Sequence, residues 1–173
     1  MIPWNDQFLA LFTHCASRYQ DGDHDFTTYY TPSDIEFLAS IGCQTREFFD
    51  FIEDFCSEGN PSPSTALLIA AARRDYFHTV QKSNPSTRIL TRNDIPTFGE
   101  VFEGMPYFPR IHAKAQAKLR GELDPDLMFA CGGDRNFLNN HGQIAPADFL
   151  RKTWACGENT RKLAAWVKSQ APS

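Results

Sequence analysis

Apolar side chains recur along most of this chain with the spacing of an amphipathic α-helix. In residues 6–20 they fall at positions i, i+3, i+4, i+7 and i+11 of one helix face, namely Phe8, Leu11, Phe12, Cys15 and Tyr19. Alternating patterns typical of strands are nearly absent, apart from a short β-like stretch at residues 87–90. The sequence therefore predicts an all-α fold.

About eight helices are expected, and two of them have clear start signals. Thr31 precedes Pro32 and Asp34, so that the threonine can cap the helix, the proline can occupy its first turn and the aspartate can complete a capping box. Ser62 begins another helix, whose apolar run predicts a central position among neighbouring helices. The expected helices lie at residues 6–20, 31–42, 45–57, from 62 onward, 108–119, 134–141, 146–155 and 159–169.

The chain matches itself when it is shifted by 100 residues. Seven identical pairs fall within the 25 positions 34–58, where average composition predicts roughly one or two. The pairs are Asp34/Asp134, Phe37/Phe137, Leu38/Leu138, Gly42/Gly142, Phe49/Phe149, Cys56/Cys156 and Glu58/Glu158. Each has a structural explanation in helix capping or core packing, so the match predicts architecture rather than chemistry. We predict two pseudo-symmetric four-helix halves packed as one globule.

The predicted repeat also divides the chain. After a five-residue insertion at residues 61–65, the match resumes with Leu68 over Leu163. Residues 83–105 contain Pro85 and Pro96 and are interpreted as a long ordered connection. The expected parts are an N-terminal helical repeat at residues 1–82, this connection, and a C-terminal helical repeat at residues 106–173.

Charge and cysteine content exclude several classes of protein. A formal net charge of -4 gives no general attraction to phosphate backbones, so nucleic-acid binding is not expected. Five cysteines without C-x-x-C spacing and an N-terminus without signal-peptide character predict free thiols in the cytoplasm. No apolar run approaches the roughly 18 to 20 residues that a membrane span requires, so no membrane association is expected.

The second half carries a set of ordered motifs. Residues 106–121 have the sequence PYFPRIHAKAQAKLRG, and the later motifs are Asp134 to Leu138, Gly142, Asp148-Phe149 and Leu163 to Val167. In order and spacing, residues 106–167 resemble the bacterial family known as domain of unknown function 5069. Phe108 and Gln116 depart from it, since the family usually has Leu and Arg there. The resemblance implies a helical domain of bacterial origin, and because the family has no assigned activity it leaves the function open.

Basic side chains dominate the predicted helix at residues 108–119. Arg110, His112, Lys114 and Lys118 occur there with no acidic residue among them. Arg110, Lys114 and Lys118 are four residues apart and share one side of the helix, where they could bind a phosphate or a carboxylate. A run of like charges is also typical of a solvated helix face, and the sequence leaves both interpretations open.

Further candidates lie outside that helix. Arg135 has no counterpart in the first half, where Ile35 occupies the equivalent position. Arg74 and His78 follow the apolar run and either line a crevice or take part in a structural Arg–Asp pair. The glycines before Asp134 either form an anion-binding nest or make a turn in which Asp134 caps the next helix.

Catalytic and metal signals are weak in this sequence. His14 and Cys15 are adjacent, but neighbouring helix positions point about 100° apart, so the imidazole and the thiol do not face each other. The five histidines show no spacing typical of a metal site, and no metal or cofactor is expected.

Two functional hypotheses follow from these residues. The first is a non-catalytic binding or interaction protein, with a polar crevice near Arg110, Lys114 and Arg135 for an anionic small molecule or a protein partner. The alternative is a small cytosolic enzyme of unassigned reaction, in which Arg110 or Arg135 holds the substrate. A histidine such as His112 or His78, or an aspartate, would then transfer a proton.

Overall fold

The computed structural model describes residues 1–172 and confirms the all-α fold. Within that range there are eight α-helices: α1 (Trp4–Gln20), α2 (Pro32–Ser40), α3 (Thr45–Glu58), α4 (Pro63–Thr79), α5 (Phe108–Arg120), α6 (Gly132–Asn140), α7 (Pro146–Cys156) and α8 (Thr160–Gln170). A small hairpin pairs β1 (Val101–Phe102) with β2 (Met105–Pro106). Every helix predicted from the sequence is present.

The chain forms two compact units, one of residues Met1–Asn84 and one from Pro85 onward. The first contains α1 to α4 and the second α5 to α8. Most of the segment interpreted as a connection belongs to the second unit. Leu90 anchors it there, because its N–H donates to the Glu122 carbonyl at 2.7 Å and its carbonyl accepts from the Asp124 N–H at 3.1 Å.

Both helix starts predicted from the sequence are confirmed. The Asp34 N–H donates to Thr31 Oγ1 at 3.2 Å, and the Thr31 N–H donates to Asp34 Oδ2 at 2.9 Å, which completes the capping box of α2. Ser62 Oγ accepts from the Thr65 N–H at 3.2 Å at the start of α4. These bonds satisfy helix N–H groups that have no partner inside the helix.

The core of the first unit is built around α1. The ring of Phe8 in α1 packs edge to face against the ring of Phe48 in α3, with centroids 5.1 Å apart. The ring of Phe12, also in α1, packs edge to face against Phe48 with centroids 6.1 Å apart. The predicted central position of α4 is wrong, since Leu68 in its apolar run is 56% exposed. Helix α1 is the central element because it packs against both α3 and α4.

In the second unit α5 packs on α7 and α7 packs on α8. Phe108, Ile111, Phe149 and Leu163 are fully buried at these contacts. Phe102 of the hairpin stacks on Phe108 with ring centroids 5.7 Å apart, so the hairpin covers the start of α5.

Residues 100 positions apart occupy similar environments in the two units. Helices α2 and α6 begin 100 residues apart and are nine residues long each. Phe8 and Phe108 are both fully buried, which extends the match to α1 and α5. Leu68 and Leu163, which the predicted repeat pairs, differ in environment, since the first is exposed and the second is buried. These features support an internal duplication, which stays a prediction.

Asp50 on α3 is a buried carboxyl group whose ionisation opposes folding. Burial raises its pKa to about 7, although Arg46 Nε donates to Asp50 Oδ1 at 3.1 Å and lowers the pKa. A carboxyl whose pKa is higher in the folded than in the unfolded chain stabilises the fold at low pH. That contribution is lost as the pH rises from about 4 through about 7.

Replacing Asp50 with asparagine is therefore expected to stabilise the protein at pH 8 by roughly 1 to 3 kcal/mol, and by little at pH 4.5. Urea unfolding at the two pH values measures the difference. Asp21→Asn is the control for the loss of one negative charge at an exposed site. A pH-independent effect of Asp50→Asn would contradict this assignment.

No helix in residues 1–172 combines the length and the apolar character needed to cross a membrane.

Candidate polar cluster of the second unit

Helix α5 carries basic side chains that face the interior. Arg110, Lys114 and Lys118 are all buried, as is His112. The interpretation of this run as a solvated basic face is therefore wrong. A lysine or arginine is seldom buried without a partner, so the environment of each one indicates what it does.

Lys114 forms a buried ion pair with Asp134, the third residue of α6. Lys114 Nζ lies 2.7 Å from Asp134 Oδ2, and the two side chains are 3% and 0% exposed. Such a pair is stable only when hydrogen bonds satisfy the remaining polar atoms of the carboxylate. Two further donors meet that requirement.

The first of these donors is Tyr107, whose hydroxyl donates to Asp134 Oδ1 at 2.7 Å. Tyr107 precedes α5 and has a left-handed backbone with a φ of 72°. Burial raises the pKa of the Tyr107 hydroxyl, and the Asp134 charge raises it further, so the hydroxyl stays protonated. A β-carbon at Gly133 would lie 2.8 Å from this oxygen, which explains the glycine at that position.

The second donor is the backbone N–H of Ala130, which lies 2.8 Å from Asp134 Oδ2. Ala130 also has a left-handed φ of 67°, and its carbonyl accepts from Arg135 Nη1 at 2.8 Å. Asp134 and Arg135 together hold this turn in place. The prediction that Asp134 caps α6 is wrong, because its carboxylate bonds to Lys114, Tyr107 and Ala130 instead.

Cys131 lies at the edge of this cluster, at the N-cap of α6. Its sulfur accepts a hydrogen bond from Lys114 Nζ at 3.2 Å, and the residue is partly exposed. The ammonium of Lys114 therefore joins a fully buried carboxylate to the thiol of a partly exposed residue.

Arg110 is the second polar feature of this face, one turn before Lys114. The residue is 8% exposed, and its Nη1 donates to the Pro96 carbonyl at 2.8 Å. Its Nε–H is buried and has no hydrogen-bond acceptor. The ring of Phe98, which is 68% exposed, lies over the guanidinium with its centroid 4.1 Å from Cζ. Among residues 1–172 no carboxylate pairs with Arg110.

His112 lies on α5 two positions from Arg110, so the two side chains point to different sides of the helix. Its ring stacks on Phe108 with centroids 5.7 Å apart. Burial lowers the pKa of His112, which keeps the imidazole neutral at physiological pH. The structure thus brings Lys114 and Arg135 together around the Ala130 turn and leaves His112 outside that group.

The two candidates in the first unit have local partners. Arg74 pairs with Asp75 at 3.6 Å and lies over the Trp4 ring, 5.0 Å from its centroid. His78 Nδ1 lies 2.8 Å from Ser83 Oγ. Both residues are partly exposed.

Several residues of the cluster were not predicted from the sequence. Tyr107, Cys131 and Phe98 were not among the candidates, and Asp134 was assigned a capping role. Tyr107 and Ala130 have the left-handed backbone conformation that is rare outside glycine and that marks constrained sites. This conformation cannot be recognised from the sequence alone.

Other features of the described chain point to no competing site. Within residues 1–172 no three histidine, cysteine or acidic side chains are placed to hold a metal ion. A shallow cavity of about 420 Å³ lies at the C-terminal end of α6 and contains none of the predicted residues. Its lining is Asn139, Asn140, Gly142, Gln143, Gln170 and Pro172.

Comparison with known proteins returns no match to a family model, to a curated protein or to a solved structure.

Proposed function

We propose that this chain is a non-catalytic binding protein that takes a small anionic ligand at Arg110 of α5. The observation that carries the proposal is the buried guanidinium, which has no carboxylate partner and one unsatisfied N–H. A buried charge without a counter-charge destabilises a fold, and a buried donor without an acceptor adds to that cost. A carboxylate or phosphate bound there would remove both penalties.

The chemistry of arginine indicates the class of ligand. A guanidinium presents adjacent N–H groups that match the two oxygens of a carboxylate or phosphate, and such charge-assisted pairs are stronger than neutral hydrogen bonds. Phe98 covers the guanidinium, and since most of its surface is exposed, its ring is free to move aside when a ligand enters.

The neighbouring basic residues are less suited to ligand binding. Lys114 already has Asp134 as its counter-charge, and Arg135 donates to the Ala130 carbonyl. The burial of Arg110, Lys114 and Lys118 also leaves no row of basic groups on α5 for a nucleic-acid backbone. Arg110 is therefore the basic residue for which a small anion would supply the missing counter-charge.

We expect inorganic phosphate or succinate to raise the melting temperature of the wild-type protein, and Arg110→Met to abolish the rise. A ligand at 100 times its Kd adds about 2.7 kcal/mol to the free energy of unfolding, which a thermal melt resolves. Sodium chloride at equal ionic strength is the control for salt effects.

The matched control variant is Arg161→Met, since the Arg161 side chain is 86% exposed on α8. It should respond to both anions as wild type does. Equal responses from wild type and Arg110→Met, or no response from either, would contradict the proposal.

The enzymatic alternative has less support from the geometry. Asp134 is fully buried and its oxygens are occupied by three donors, so it cannot reach a substrate. His112 faces a different side of α5 from Arg110. Neither group is in a position to transfer a proton to a molecule bound at Arg110.

Two broader expectations remain proposals. The cytoplasmic location is supported by five cysteines without a disulfide in the structure. The resemblance to the bacterial domain of unknown function 5069 concerns residues that shape the cluster, among them Arg110, Lys114, Asp134 and Arg135. If this chain belongs to that family, other members are expected to contain the same polar cluster.

A further inference from the structure

We infer that Cys131 and Lys114 form a reversible covalent cross-link when the protein meets hydrogen peroxide. The inference is independent of ligand binding at Arg110. It rests on a thiol and an amine whose heavy atoms are 3.2 Å apart, one partly exposed and the other buried in an ion pair. Because packing holds Lys114 at the sulfur, the amine is the nearest group to any oxidised form of this cysteine.

The chemistry proceeds in two balanced steps. In the first, the Cys131 thiol reduces one molecule of hydrogen peroxide and becomes a sulfenic acid, with release of one water molecule. In the second, Asp134 takes one proton from the Lys114 ammonium, which frees the nitrogen lone pair to attack the sulfenic sulfur. The N–S bond forms as the S–O bond breaks, and the hydroxyl leaves as water with one of the two protons remaining on nitrogen, so that Asp134 keeps the proton it received.

Asp134 is placed to accept that proton. Its Oδ2 lies 2.7 Å from Lys114 Nζ, and its other contacts come from Tyr107 and the Ala130 N–H. Cross-linking removes the charge of Lys114, and protonation of Asp134 removes the matching negative charge. The buried pair is thereby neutralised as a whole, so that no single charge is left without a partner in the interior.

The other cysteines provide internal comparisons. Cys15, Cys43 and Cys156 are buried, and burial raises the pKa of the Cys15 thiol to about 12. Cys56 resembles Cys131 in being partly exposed, but its sulfur contacts the Ala16 carbonyl at 3.8 Å rather than an amine. Burial also raises the pKa of the Cys56 thiol, which slows its reaction with peroxide. A sulfenic acid that does form at Cys56 should continue to sulfinic and sulfonic acids, whereas at Cys131 the amine captures the sulfenic acid first.

The test is peptide mapping of the full chain after treatment with dilute peroxide, denaturation and alkylation of free thiols. We expect the peptides that contain Lys114 and Cys131 to be joined, with a mass equal to their sum less two hydrogen atoms. A thiol reductant should separate them. The joined species should be absent from Cys131→Ser, which should keep its fold because serine is a favoured N-cap residue.

A Cys131 recovered as a free thiol, or as sulfinic or sulfonic acid beside an unmodified Lys114, would overturn the inference. Since wild-type protein supplies this readout, the test does not depend on the folding of any Lys114 variant.

Discussion

Replacing Asp134 with alanine is expected to lower the free energy of unfolding by about 3 to 5 kcal/mol. The substitution leaves the Lys114 ammonium buried without a counter-charge, and it removes the acceptor for the Tyr107 hydroxyl and the Ala130 N–H. Chemical denaturation monitored by circular dichroism measures the loss. A variant unfolded in buffer would agree with the upper end of this range.

Asp34→Ala is the matched control, since Asp34 is the third residue of α2 as Asp134 is of α6. It loses only a partly exposed capping box and should cost about 1 kcal/mol. Lys114→Met combined with Asp134→Ala should be more stable than Asp134→Ala alone, because the unpaired charge is gone. Equal losses for Asp134→Ala and Asp34→Ala would contradict the structural role of the ion pair.

The second large effect is expected at Gly142, which follows α6. Its φ is 96°, and a β-carbon there would lie 2.5 Å from the carbonyl carbon of Gln170 in α8. Backbone atoms cannot rotate away as a side chain does, so alanine must displace the end of α8 or the turn itself. We expect a loss of roughly 2 to 5 kcal/mol in the free energy of unfolding, from strain and overpacking together.

Gly22→Ala separates these two causes. Gly22 has nearly the same φ, 94°, but a β-carbon there would meet no heavy atom within 4 Å. That variant therefore reports the cost of the backbone conformation alone, about 1 kcal/mol. Losses of the same size at the two glycines, measured by urea unfolding, would show that the predicted clash with Gln170 does not occur.

The helices were predictable from the sequence because their determinants are local. Thr31 and Asp34 are three residues apart, and the bonds between them form wherever that segment becomes helical. The apolar spacing of Phe8, Leu11 and Phe12 likewise follows from the pitch of one helix. Such features depend little on the rest of the chain.

The polar cluster was only partly predictable, because its contacts join distant residues. Lys114 and Asp134 are 20 positions apart, and Arg110 contacts the Pro96 carbonyl 14 positions away. The sequence showed three basic residues on one side of α5, but whether that side is solvated or buried depends on which elements pack against it. The central position predicted for α4 was wrong for the same reason, since more than half of the Leu68 surface is exposed.

The resemblance between positions 34 and 134 shows the same limit. Both aspartates occupy the third position of a nine-residue helix, yet one caps its helix and the other pairs with a buried lysine. The residue 100 positions before Lys114 is His14, so the predicted repeat places no lysine there. A position shared by the two predicted repeats therefore predicts local backbone structure better than it predicts chemistry.

The most direct measurement of the central claim is an NMR titration of the Arg110 Nε–H in protein labelled with nitrogen-15. Assignment of this resonance follows from its absence in Arg110→Lys. Addition of succinate or phosphate should shift it saturably, because the ligand supplies the acceptor that the fold lacks. The Nε–H resonance of the exposed Arg161 should stay in place. An Arg110 resonance that does not move at any anion concentration would contradict the proposed site.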